Sequence, residues 1–88
     1  TVVVVAAAFW FQLSSVETAL VALSIGGVFA AECFNTAVER LADRVTTETD
    51  PLIKQAKDTA AAGVLCMAMG SVVVAVVIFW PKLFVLLT

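Results

Sequence analysis

Histidine is absent from these 88 residues, cysteine and proline occur twice each, glycine four times, and charged residues make up only 14% of the chain. Each scarcity excludes something. Without histidine, Cys33 and Cys66 have no imidazole to activate them, and neither belongs to a Cys-x-x-Cys pair. Zinc binding, disulfide exchange and a Cys-His nucleophile therefore drop out, and both thiols read as structural. None of Gly26, Gly27, Gly63 and Gly70 precedes a lysine, which removes a Walker-type phosphate loop, and no kinase-type glycine-rich loop is present. Five basic residues against seven acidic ones leave a net charge of −2 with no basic tract, so nucleic acid is not a partner.

What the chain has in abundance is apolar sequence. At 62% hydrophobic it reads as an all-α membrane protein, a single domain over residues 1–88 with helices at about 1–11, 16–45 and 51–80. The opening T-V-V-V-V-A-A-A-F-W-F is apolar from its first residue, and we read it as the later part of a first transmembrane helix. Residues 12–18 form a polar break in which Ser14 or Ser15 can cap the second helix, with Trp10 as an interfacial anchor and Glu17 as a solvated first-turn residue favoured by the helix dipole. The second helix, at about 30 residues, is ~45 Å long against a ~30 Å hydrocarbon core, so its later half must project from the bilayer. Thr46 to Leu52 has loop chemistry, Pro51 opens the third helix, and an uncharged run from Thr59 to Pro81 is long enough to span, closed by Trp80 and Lys82.

Arg40, Arg44, Lys54 and Lys57 all lie around the connection between the second and third helices, which the positive-inside rule makes cytoplasmic. The small residues Gly26, Gly27, Ala60, Ala61, Ala62, Gly63 and Gly70 allow close helix approach in a bilayer. So short a chain cannot enclose a pocket alone, and other copies must cover its polar stripe; a homo-oligomer is expected.

That stripe is E-C-F-N-T-A-V-E-R-L-A-D, in which Glu32, Asn35, Glu39 and Asp43 recur at spacings of three, four and four and share a helix face. It begins beside the apolar run and ends well outside it, a polar ladder leading out of the membrane. Carboxylates and an amide oxygen are hard ligands suited to Mg²⁺ carried on substrate phosphates, and a lysine one helix away can hold a phosphate as a point charge. A carboxylate at an apolar boundary keeps a proton more readily than one in water, which suits a general base. Together these parts point to phosphoryl transfer. In the plainer reading Arg40 and Arg44 pair with Glu39 and Asp43 on an exposed helix, but that leaves Glu32 without a partner beside the bilayer.

The pattern E-x-x-N-[ST]-A-[IV]-E-x-x-x-D, from Glu32 through Asp43, followed by A-K-D at Ala56, Lys57 and Asp58, resembles the small bacterial integral-membrane diacylglycerol kinases. The stretches D-P-L-I-K-Q-A-K-D-T-A-A-A-G-V and I-F-W-P-K-L are similar to the Gram-positive-type branch, many of whose members phosphorylate undecaprenol. The resemblance implies a homotrimer of three-transmembrane-helix protomers in the bacterial inner membrane, with ATP and Mg²⁺ as co-substrate and cofactor, a membrane lipid as acceptor, and shared sites at the cytoplasmic interface. It makes Glu32 the general base on the lipid hydroxyl and Glu39 a ligand of the ATP-borne Mg²⁺. Asn35 would arrange the phosphates, Lys57 contact them, and Asp58 lie in the nucleotide site, approached by the loop at Glu48, Thr49 and Asp50. Asp50 stands where the family usually has histidine, and on this resemblance the sequence is expected to begin after the family's amphipathic surface helix, which bears a second metal-binding glutamate. Two rivals remain in view: a catalytically inactive relative, and an ion-conducting assembly in which rings of Glu32 or Glu39 gather cations.

Overall fold

The computed structural model describes residues 2–88. It has three helices: α1 over Val2–Phe11, α2 over Ser15–Val45 and α3 over Pro51–Leu87. Thr1, assigned to the first helix from sequence, lies outside the described residues.

Local chemistry explains the ends of these elements. Ser14, not Ser15, caps α2: its hydroxyl accepts from the Glu17 amide while the Glu17 carboxylate accepts from the Ser14 amide, a reciprocal capping box. Just before it, Gln12 adopts φ 53°, the left-handed turn that lets the chain reverse after α1. Asp50 caps α3 by accepting from the amides of Leu52 and Ile53, and Pro51 occupies the first turn, where its missing N–H costs nothing. The far end of α3 departs from the sequence reading. The helix runs past Trp80 and keeps Pro81 inside it, ending at Leu87. A proline removes one backbone hydrogen bond, yet the apolar run on both sides has a stronger need to satisfy its remaining backbone groups internally.

At 31 and 37 residues, α2 and α3 are ~46 and ~55 Å long, and both are apolar enough to cross a membrane; α1, at 10 residues, is ~15 Å. The molecule is a rod of 57 × 19 × 18 Å whose long axis is the length of α3. Its main packing is the antiparallel pair α2 and α3. The covered positions on α2 (Val21, Ser24, Val28, Ala31, Asn35, Val38, Ala42) repeat at alternating steps of three and four, as do Ile53, Lys57, Ala60, Val64, Met67, Ser71, Val74 and Ile78 on α3. That is the spacing of a coiled-coil seam. In the seam Gly27 lies against the thioether of Met67, which would have to shift to admit a side chain, and the Ser71 hydroxyl donates to the carbonyl of Met67 with the Ser24 carbonyl also within reach.

Only Val21, Ala42 and Ile78 are buried among the described residues, and large apolar side chains such as Phe9, Phe34, Val77 and Leu87 stand open. A compact soluble chain of this mass exposes about 5,000 Å². This one exposes 6712 Å². The excess is apolar helix surface that lipid or other copies must cover.

Candidate active site

The ladder on α2 does not present one face. Asn35 is half-buried in the seam toward α3, whereas Glu32 and Glu39 are exposed, because the three-residue step before Asn35 turns it inward and the following four-residue step brings Glu39 part of the way back. The amide oxygen of Asn35 is buried with no hydrogen-bond partner.

Asp43 meets α3. Its carboxylate accepts a 2.5 Å hydrogen bond from the Lys57 ammonium, joining residues 14 apart in sequence. Lys57 stands before the uncharged run of α3, and this contact raises its pKa above the ordinary value, with the Glu39 carboxylate adding to the field. The plainer reading is thereby corrected for Asp43. Its partner is Lys57, and neither Arg40 nor Arg44 forms an ion pair among the described residues. Sequence alone missed this contact because it depends on the register of two helices, and nothing in either helix by itself signals it.

The other expected site residues are spread about this end of the rod. Asp58, one position beyond Lys57, is turned outward and reaches Lys54 at 3.9 Å along the same helix. Glu48 and Thr49 are exposed in the connection, where the Glu48 amide donates to the Thr46 hydroxyl. Asp50 is also exposed, but one of its carboxylate oxygens already accepts from two backbone amides of α3. Structure therefore brings Asn35 and Lys57 to the seam, with Asp43 exposed at its edge, and leaves Glu32, Glu39, Glu48, Thr49 and Asp58 facing outward.

Glu32 borders two grooves. One, of 330 Å³, runs between the three helices and is lined by Val4, Val21, Val28, Ser71 and Phe79 with Glu32 at its end. The other, of 370 Å³, follows α2 from Phe29 and Glu32 past Thr36 to Arg40. The first groove is almost wholly apolar, the second carries Thr36 and Arg40 among apolar side chains, and Glu32 borders both.

For a metal, the donor set is thin. No group of three or more carboxylates or thiols converges among the described residues. Glu39 is exposed and forms no ion pair among them, which suits the mode in which Mg²⁺ takes one or two carboxylates and shares substrate phosphates. The residues fit a metal brought in on a nucleotide, not a caged resident ion.

The opposite end of the rod is also tied together. Lys82 meets Glu17 at 3.2 Å and the rings of Phe11 and Phe79 pack edge to face at 5.8 Å. Glu17 is thus not the freely solvated residue expected from sequence; in the first turn of α2, the backbone amide of Ser14 and the Lys82 ammonium lower its pKa.

Comparison with known proteins adds an independent line. The family model described as prokaryotic diacylglycerol kinase matches residues 1–79. An undecaprenol kinase from Bacillus subtilis (strain 168) is 43% identical over 75 residues, covering 85% of this chain and 61% of that protein. The chain thus spans less than two thirds of that relative's length. No solved structure matches it.

Proposed function

This chain belongs to the prokaryotic diacylglycerol kinase family, and on that ground we propose that it transfers the γ-phosphoryl group of ATP to the hydroxyl of a membrane lipid alcohol. The observation that carries the reading is the position of Glu32 at the end of an apolar groove between the helices, beside a second groove that leads along α2 to Thr36 and Arg40. A lipid kinase has to bring a hydrocarbon-borne hydroxyl and a highly charged nucleotide to one point. The apolar groove, at 330 Å³, takes part of a hydrocarbon chain and leaves the rest in the bilayer.

In this reading Glu32 accepts the proton of the lipid hydroxyl as its oxygen attacks the γ-phosphorus and ADP departs. Lys57 holds phosphate charge, Asn35 arranges the phosphates from the seam, and Asp58, Glu48, Thr49 and Asp50 border the nucleotide. Glu39 ligates the Mg²⁺ that travels with ATP; when bound, that ion neutralises phosphate charge. Most of the rate enhancement comes from placement and charge stabilisation, as in phosphoryl transfer generally. Sites at the cytoplasmic surface of a homotrimer, completed by neighbouring chains, supply the cover that one protomer lacks. The name of the Bacillus subtilis relative makes undecaprenol the first acceptor to test, with diacylglycerol beside it.

The test is transfer of label from γ-labelled ATP into each lipid, offered separately in mixed micelles with Mg²⁺. Glu32→Gln is expected to lower turnover by about 10²- to 10⁴-fold, the usual contribution of a general base. Glu39→Ala is expected to raise the Mg²⁺ concentration needed for half-maximal rate. Label in neither lipid from assembled parent protein, or full activity in Glu32→Gln, would sink the proposal.

A further inference from the structure

At the connection end of the rod four basic residues are available, yet Lys57 alone among them is turned into the seam between α2 and α3 and held by the opposite helix. The Lys57 side chain is 37% exposed and that of its partner Asp43 64% exposed. Such a contact is well formed but not sealed. Water and salt reach it, so it is screened and readily broken. Lysine is also suited to changing partners, being a compact charge with three donors on a flexible stem. A phosphate carries more charge than a carboxylate and offers several oxygens to the same ammonium.

Building on the nucleotide reading above, we propose that Asp43 is the resting partner of Lys57, and that a phosphate of the nucleotide displaces it. One anion replaces another around a single ammonium. In the free protein Asp43 keeps the lysine side chain aimed along the seam; on nucleotide arrival Lys57 leaves Asp43 for the phosphate, and the freed carboxylate lies one turn from Arg40 on its own helix. The exchange lowers apparent nucleotide affinity, because only the fraction of molecules with Lys57 released is competent to bind. No covalent step is involved. Asp43 is a positioning residue that acts through Lys57.

The experiment is a binding cycle on the full chain in lipid nanodiscs, using the Mg²⁺ complex of β,γ-methylene-ATP, which cannot transfer its phosphate. Parent, Asp43→Asn, Lys57→Gln and the double variant are compared, with Asp43→Ala as a second removal of the carboxylate and Asp43→Glu as the conservative replacement. Removing the competitor is expected to tighten binding about two- to fivefold, the scale of an exposed ion pair. Asp43→Glu should return to the parent value, and in the Lys57→Gln background Asp43→Asn should change nothing. An equal gain in both backgrounds would show a general charge effect and overturn the exchange, as would weaker binding in both Asp43→Asn and Asp43→Ala. If the parent and Asp43→Asn both fail to bind the analogue, the nucleotide reading itself fails and the exchange with it.

Discussion

Asn35 carries an amide oxygen that is buried and unpaired, a condition that costs a protein about 1–3 kcal/mol wherever it occurs. A leucine or valine in the same seam position would avoid that cost, and every other seam residue of α2 except Ser24 is apolar. An orphan acceptor kept between two helices, one turn from Glu32 and one from Glu39, is consistent with the phosphate-arranging role proposed for Asn35. Glu17 shows the opposite case, a polar side chain with every partner it needs. Its lowered pKa has a definite sign. A carboxyl group held below its ordinary 4.5 in the folded protein adds stability above that value, and the contribution is lost as pH falls through the folded pKa. The difference in Tm between the parent and Glu17→Gln should therefore be constant near neutrality and shrink toward zero as pH falls from about 5 to about 3. A difference unchanged over that range would show that Glu17 contributes through shape alone. Ser14→Ala, which removes the other half of the capping box, should cost about 1 kcal/mol near neutrality.

Midway along the α2–α3 seam Gly27 faces the end of the Met67 side chain. A methyl group built on Gly27 would lie 2.9 Å from the Met67 sulfur, but the obstacle is the flexible end of a side chain and not backbone. Gly27→Ala should consequently be tolerated, Met67 swinging aside. Gly27→Leu has no such escape, and an overpacked seam typically costs about 1–3 kcal/mol. Steric-trap unfolding in bicelles would separate the two, and equal stabilities for Ala and Leu would show that the seam is looser than the structure indicates.

For the molecule as a whole, exposed apolar surface and a half-open site make the same demand. A rod with three buried residues among those described leaves apolar surface that lipid can cover, but lipid cannot cover the carboxylates that face outward beside it. The trimer proposed above would seat a second protomer over Glu32 and Glu39, outward-facing on α2. Native mass spectrometry from nanodiscs should give three copies per particle. Mixing inactive Glu32→Gln with inactive Lys57→Gln protomers should restore part of the activity if each site draws on two chains. A monomeric particle that retains full turnover would show that one chain suffices.

Much of this was legible from local sequence. The second helix, the Pro51 start of the third and the apolar runs depend on residues within a few positions of one another, because helix hydrogen bonds and hydropathy are local. The family pattern from Glu32 to Lys57 could be read for the same reason, since its spacings are those of a helix face and a short loop. The inward turn of Asn35, the pairing of Asp43 with Lys57 in place of Arg40 or Arg44, the tie between Glu17 and Lys82 and the groove between the helices that ends at Glu32 were decided by tertiary structure. Each depends on how α2 and α3 are set against one another. That register is fixed by the summed packing of a seam some thirty residues long, within which the approach of Gly27 to Met67 is one contact among many, and no single stretch of sequence displays it.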